Sequence, residues 1–446
     1  MKLKYKVLNQ CENAKQAALN LATVSTDVKN VVLYELAEDI HMNKKRIIQA
    51  NKVDLKLSKG KISDVLLKRL VVDDKKINEM IAMVKSVAKL KDPSGKILQK
   101  TELDKGLILQ KVSVPIGVIA CVFESRPEVV VQIASLAIKS GNAVLLKGGK
   151  EALNTNKVLI DVIRKSIKDN KGMPVNSVQL LETREAVKEV LKMDDFIDLI
   201  IPRGSNKFVK YIQDNTKIPV MGHSEGICHV YVDKAASINK AVKIAYDAKC
   251  QYPAVCNAME TLLVHQAIAK KFLPLIVEKL VKNDVEVRCD NEAVNILRKD
   301  RKAKSLLKIY QNKIRKAAEK DWSTEYTDLI LSVKIVKDDN EAIKHINKYG
   351  SGHTDAIVTE NKVSALKFLS LIDSSSVVWN ASTRFSDGYR YGFGAEVGIS
   401  TNKIHARGPV GLEGLVIYKY ILTGNGHIVA EYSGKKGKKF KHKQLI

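Results

Sequence analysis

Residues 115–147 read PIGVIACVFESRPEVVVQIASLAIKSGNAVLLK, and this stretch decides the fold class. Its first eight residues after the proline, 116–123, form an unbroken apolar run that reads as a buried strand. Residues 127–140 read as a helix closed by Gly141, and residues 142–147 read as a second buried strand. Strand, helix and strand within some thirty residues make a parallel βαβ unit.

Working outward, the alternation continues. A helix over about 151–169, the strand SVQLL, a helix near 184–192, the strand DLIIP, another helix and the strand IPVM follow. A second alternating series starts at Cys228 with HVYV, a helix at 236–248, the strand METLLV, a long helix from 266, and later DAIVTE and SSVVWN. Such alternation predicts an α/β fold with doubly wound, mainly parallel sheets. Ligands then bind at the carboxyl ends of strands, so the turns after Phe123, Lys147 and Pro202 matter most. Before this region, residues 10–90 are helical by periodicity: Ala14, Ala17, Ala18 and Leu21 share one face, and Ile77, Met80, Ile81, Val84 and Val87 another, the latter after an Asp73/Asp74 cap. Residues 95–114 change to two strands joined by a polar turn at Asp104, Lys105 and Gly106. The glycine-rich segment 388–414 and a last strand, LVIYKYIL, close the chain.

The chain's 446 residues allow about three domains, and 45% hydrophobic with 28% charged residues describe an ordinary globular protein. A formal charge of +26 invites a nucleic-acid reading, but the lysines are scattered among acidic residues and aromatics are only 5%. The expectation is therefore no nucleic-acid partner. The terminal SGKKGKKFKHKQLI is expected to be a basic, disordered tail over 433–446. Six cysteines, at 11, 121, 228, 250, 256 and 289, show no CxxC pair and no metal spacing. Cys228 and His229 are adjacent on a strand and should point to opposite faces. No metal is expected, and unpatterned thiols fit a reducing cytoplasm. The start lacks an apolar signal core and no run is long enough for a membrane span, so neither membrane nor secretion is expected.

Several motifs are weak alone. Gly392, Gly394 and Gly398 have the wrong spacing for a dinucleotide fingerprint. KGGK at 147–150 lacks the Ser/Thr of a triphosphate loop but sets cations and glycines just past a strand. IPRGSNK offers backbone N–H groups at a helix start, a favourable place for an anion. Cys256 in PAVCNAMETLLVH lies on a turn beside a strand, where a thiol can be both exposed and held still. An isolated cysteine is otherwise most often a small buried hydrophobe.

In order along the chain, PIGVIACVFESRPEVVVQIASLAIKSGNAVLLKGGKEA, IDLIIPRGSNK, MGHSEGICHVYVD, PAVCNAMETLLV, SSSVVWNASTRFSDG and GAEVGISTNKIHARGPVGLEGL resemble the γ-glutamyl phosphate reductase family. This family, also called glutamate-5-semialdehyde dehydrogenase, lies within the aldehyde dehydrogenase superfamily. The likeness spans roughly residues 10–425 and is close to the reductase half of pyrroline-5-carboxylate synthases.

The resemblance implies a cofactor domain over 1–94 and 114–226, a catalytic domain over 227–408, and an oligomerisation arm from 95–113 and 409–430. It implies reduction of L-glutamyl 5-phosphate by NADPH, with Cys256 as nucleophile and Arg126 and Asn257 beside it. A hydrolytic NAD(P)-dependent aldehyde dehydrogenase is the alternative. In hydrolytic relatives a glutamate activates water; its position here is Met221, although Glu225 is nearby. Lys147, Lys150, Gly204, Ser205, Glu124 and Ser125 map to the cofactor site. Lys150 replaces a glutamate found in members that prefer NAD, which points to NADP. Asn380, Ser382, Thr383, Arg384 and Arg407 map to the substrate pocket. A homo-oligomer, and functional coupling to a separate glutamate kinase, are further expectations.

Overall fold

The computed structural model describes residues 2–223 and 225–446; Ser224, within the MGHSEG segment, and Met1 lie outside the described residues. The chain forms two compact units, Met1–Gly222 with Phe393–Gly398 and Val410–Ile446, and His223–Gly392 with Ile399–Pro409.

In the first unit, β1 (Ile97–Asp104) and β2 (Leu107–Pro115) precede β3 (Val118–Phe123), β4 (Ala143–Lys147), β5 (Val178–Leu180) and β6 (Leu199–Arg203). The last four form a parallel sheet ordered β5-β4-β3-β6. Every residue of β3 and β4 is buried, which is why both read as continuous apolar runs. The helix Glu128–Ser140 connects them and ends at Gly141, whose φ is +83°. A side chain there would also lie 2.8 Å from Pro115, so glycine is needed for both backbone and space. Ala14, Ala17, Ala18 and Leu21 of the first helix are buried as their spacing predicts, and Asp73 caps Asp74–Lys89 through Lys76 N–H.

Two expectations fail in this unit. IPVM is not a strand: Val220 makes an isolated bridge to Ile200 outside any strand. Pro219 has no N–H to extend the ladder, although its carbonyl accepts from Ile200. The lysine-rich end is not disordered. Lys443–Gln444 runs antiparallel to β1, completing a sheet with β2 and Val416–Thr423. Phe440 stacks on Tyr432, and Lys438 pairs with Glu431 at 2.6 Å. The unpaired edge of β1 supplies backbone partners, so a segment with little to bury still finds a seat.

The second unit contains β7 (Cys228–Val232), β8 (Met259–His265), β9 (Glu286–Cys289), β10 (Ile314–Lys316), β11 (Ile330–Val336), β12 (Thr354–Val358) and β13 (Ser376–Trp379). They form one parallel sheet ordered β10-β9-β11-β8-β7-β12-β13. Helices Ile238–Cys250 and Gln266–Val281 bury Ala241, Ala245, Phe272 and Ile276 in a core with Val230, Leu262 and Val333. The central pair, β7 and β8, is buried along its whole length. Among the described residues no helix is long and apolar enough to cross a membrane.

Candidate active site

The irregular segment between helix Ile238–Cys250 and β8 carries Cys256, and several independent contacts hold it. Lys249 at the helix end and Glu260 near the strand start are fully buried and paired at 2.6 Å. Thr327 N–H adds a bond to Glu260 at 3.1 Å. Burial pushes the Glu260 carboxyl up to about 7 and lowers the Lys249 ammonium, each opposed by the partner's charge. Removing one member of such a pair leaves a buried charge and costs about 3–5 kcal/mol. Between these anchors Ala258 N–H closes a turn on the Val255 carbonyl at 3.0 Å. A side chain at Gly226 would lie 2.2 Å from the Cys256 carbonyl oxygen and 2.6 Å from its Cα, so the glycine permits a close backbone approach. Cys228 donates its S–H to the same carbonyl at 3.2 Å.

Asn257 fastens this turn to the loop that follows β13. Its amide donates to the Ser386 carbonyl at 2.8 Å, and its own carbonyl accepts from Thr383 Oγ1 at 2.7 Å. Asn257 Oδ1 is buried with no hydrogen-bond partner among the described residues, leaving one acceptor uncommitted. Cys256 itself is half-buried, whereas Cys11, Cys121, Cys228 and Cys289 are fully buried. Burial pushes Cys11, Cys121 and Cys289 up to about 12 and Cys250 to about 11, and raises Cys228 well above its ordinary value. Those five are thus held as thiols.

Two histidines that the sequence did not single out stand beside Cys256. The Cys256 Sγ and one nitrogen from each of His223 and His353 all lie within 4.8 Å of one another. The two rings meet edge to face, centroids 5.0 Å apart at 77°. His223 is half-buried, with Nδ1 at 2.9 Å from the Ile399 carbonyl oxygen. His353 is fully buried; its Nδ1 is 2.8 Å from Thr354 Oγ1 and 3.7 Å from Cys228 Sγ, and its Nε2 has no partner among the described residues. These are donor types that also hold zinc. A bound metal, however, would occupy the sulfur that an acyl-transfer nucleophile needs free.

The expected substrate residues fall into two groups. Arg384, in the short turn Thr383–Phe385, is buried and donates from Nε to Gln251 at 3.0 Å. Burial first, and then Arg390, lower its hold on its proton, while the Cys256 sulfur opposes this. It is therefore a cation whose charge acts on the thiol. Ser382 accepts from Arg384 N–H at 3.3 Å, and Thr383 is committed to Asn257. Asn380, with φ at +54°, spends its amide group on Thr359 N–H and carbonyl at 3.0 and 2.9 Å. Arg407 pairs with Asp373 at 3.1 Å and donates to the Asp373 and Thr401 carbonyls, so the structure gives it a role in fastening loops. Asn380 and Arg407 are thus not brought to the thiol by any of these contacts.

In the first unit, the expected cofactor residues gather at the carboxyl ends of the adjacent strands β4, β3 and β6. After β3, Ser125 has φ at +40°, and its N–H and hydroxyl both donate to Glu151 Oε1 at 2.9 and 2.6 Å. Burial works against ionisation of Glu151, but these bonds keep its carboxyl below the ordinary value. Glu151 was not anticipated; its place in KGGKEA just past β4 was the available signal. Arg126 is half-buried and Glu124 exposed in the same turn. Lys147 is buried and donates to the Gly148 carbonyl, while Lys150 is exposed. Burial lowers the Lys147 ammonium, opposed by Glu151. Gly204 lets the β6 turn pass the β3 turn: a side chain there would sit 3.1 Å from the Glu124 carboxyl. Ser205 starts helix Asn206–Asp214 without capping it through its side chain. A helix start of this kind, just past a strand end, is a favourable place for an anion. Met221 is buried, its N–H on the Ile200 carbonyl at 2.8 Å, and Glu225 is exposed.

Two parallel α/β units, one bearing a fixed cysteine and the other an anion-friendly strand-end cleft, define the class. The aldehyde dehydrogenase family model matches residues 4–325. A γ-glutamyl phosphate reductase of Methanococcoides burtonii is 54% identical over 437 residues, 97% of this chain and 95% of the relative. Another, from Ruminiclostridium cellulolyticum, is 53% identical, covering 98% of this chain and 97% of the relative. The crystal structure of the Thermotoga maritima γ-glutamyl phosphate reductase superposes with a TM-score of 0.89 at 41% identity, over 95% of this chain and 99% of that one. The chain belongs to the aldehyde dehydrogenase family and, within it, to the γ-glutamyl phosphate reductases.

Proposed function

We propose that this chain reduces L-glutamyl 5-phosphate to L-glutamate 5-semialdehyde and phosphate, using NADPH and a thioester on Cys256. The observation that carries the reading is the half-exposed thiol on a turn fixed by Gly226, Asn257 and the Lys249–Glu260 pair. The thiolate attacks the γ-carbonyl, and phosphate leaves with the electrons of the carbon–oxygen bond. Arg126 is assigned to the developing oxyanion or the departing phosphate, and Arg384 to the substrate's α-carboxylate. A dinucleotide held by Lys147, Lys150 and the turn at Ser205 would supply the hydride for reduction of the thioester, and the Cys256 sulfur would be freed as the aldehyde leaves. An uncharged Met221 where hydrolytic relatives carry a glutamate keeps water from competing for the thioester.

NADP is favoured over NAD by Lys150, whose exposed ammonium suits a 2′-phosphate. Lys147 and the uncapped helix start after Ser205 are assigned to the ribose and the pyrophosphate. A homo-oligomer built on the β1–β2 arm is supported by the exposed Ile417, Tyr418, Tyr420 and Leu422 along Val416–Thr423. The acyl phosphate would come from a separate kinase, and the cytoplasm is the expected compartment.

The reading is tested in the oxidative direction. Glutamate semialdehyde should reduce NADP⁺ only when phosphate is present. Phosphate-independent oxidation yielding free glutamate would instead establish the hydrolytic alternative. Lys150→Glu should shift the preference towards NAD; an unchanged preference would remove Lys150 from the cofactor site.

A further inference from the structure

We propose that His223 is the base that takes the proton from Cys256. This rests on the reading of Cys256 as the nucleophile and adds the residue that activates it. His223 makes a hydrogen bond on the side of its ring that is turned away from the thiol. The Ile399 carbonyl, 2.9 Å from Nδ1, can only accept, so Nδ1 carries the ring's hydrogen. Nε2 is then the lone-pair nitrogen, and the ring is in the tautomer a base requires. One nitrogen of this ring lies within 4.8 Å of Sγ, and catalytic hydrogen bonds that are long without substrate commonly tighten only in the substrate complex.

His353 also has a nitrogen within 4.8 Å of the sulfur but is suited to a different part. It is fully buried, and a charge there would have to be accommodated away from water. Its Nδ1 already faces Thr354 Oγ1 at 2.8 Å, and its ring packs edge to face on His223. His353 is therefore a positioning residue that holds the His223 ring against the thiol. His223, half-buried, can exchange its proton with solvent, and its Nδ1–H bond strengthens when the ring becomes charged.

The proton balance follows. The S–H bond breaks and an N–H bond forms at Nε2, giving a thiolate beside an imidazolium. After the thiolate attacks, the imidazolium gives this proton to the departing phosphate. Reduction of the thioester breaks the carbon–sulfur bond with its electrons on sulfur, and solvent supplies the single proton the overall reaction consumes.

The test compares the intact protein with His223→Ala and His223→Gln. The rate at which iodoacetamide alkylates Cys256 is followed against pH, with the modified residue identified by peptide mapping. Among the described residues, the other titratable or charged groups acting on the sulfur are Cys228, His353 and Arg384, and all remain in both variants. Near neutral pH alkylation should slow by about tenfold or more in both, with the profile moved to higher pH. Turnover should fall by about 10²–10⁴-fold with little change in substrate KM, and added imidazole should partly restore it in His223→Ala. His223→Gln keeps a side chain of similar reach, so a purely structural role predicts that it rescues alkylation and turnover. Full rescue by glutamine, or an unchanged alkylation profile in His223→Ala, would overturn the proposal. An active Cys256→Ser variant would instead overturn the nucleophile reading, so the two failures are distinguishable.

Discussion

The second unit holds two histidine pairs, and they are built for opposite ends. His223 and His353 meet edge to face beside the half-buried Cys256. His229 and His345 meet in the same way, centroids 5.6 Å apart at 80°, but among the described residues neither ring has a hydrogen bond to a thiol. His229 is fully buried and its ring is tied to Asp355 at 2.8 Å. His345 packs against Trp322 and Tyr349. The alternation of β7 accounts for the separation: Cys228 points to the Cys256 turn, and His229, the next residue, to the opposite face. In the first pair His223 keeps access to water beside the proposed nucleophile, while His353 is buried behind it. The other pair is sealed as packing, and burial, followed by the nearby His229, pulls His345 down to about 3. Histidine beside histidine is therefore no sign of chemistry until the third partner is known.

The largest effect that would sharpen this contrast is expected on the reactive face. Gly226→Ala adds a methyl group 2.2 Å from the Cys256 carbonyl oxygen and must displace the turn. Turnover should drop by about 100-fold, the size of effect that follows from a misplacement of about 1 Å, while the far-ultraviolet spectrum stays native. Turnover within a few-fold of the starting protein would show that the turn tolerates movement.

On the sealed face the expected effect is on stability alone. His345 favours the uncharged form when folded, with its pKa at about 3 against 6.5 when free. Between those values the unfolded chain binds the extra proton, so His345 subtracts stability as pH falls from 6.5 towards 3. The slope contributed is about 1.4 kcal/mol per pH unit at most. His345→Phe should flatten the fall in denaturation midpoint over that window and leave turnover unchanged. A steep loss of turnover would break the division between the two faces.

The smallest change is expected at Cys228, which touches the reactive side without reacting. Cys228→Ala removes a bond to the Cys256 carbonyl and should cost about 1 kcal/mol of stability, with turnover reduced less than about tenfold. Alkylation mapped to Cys228 in the native protein would contradict its buried, proton-holding state.

Much of this architecture was legible because burial writes itself into long apolar runs. The β3–helix–β4 unit and β7–β8 are buried throughout, and their sequences show it. Strands β9 and β10 were not anticipated: EVRC mixes half-buried charges with apolar residues, and IRK is three residues long. Cys256 could be picked out by motif, yet its histidines could not, since MGHSEG and SGHTDA reach it through separate loops. Arg407 illustrates the converse. An arginine in a glycine-rich segment suits an anion equally well, and only the folded chain brings Asp373 to it as a partner.

A covalent thioester at Cys256 requires the sulfur itself, so replacing it by oxygen tests the mechanism most directly. The native chain and Cys256→Ser are each supplied with glutamate, ATP and a glutamate kinase, and NADPH oxidation is followed. Native protein should oxidise NADPH and form the semialdehyde, while the serine variant, equally folded, should show no turnover above background. NADPH oxidation by Cys256→Ser at a rate near that of the native chain would contradict the covalent mechanism.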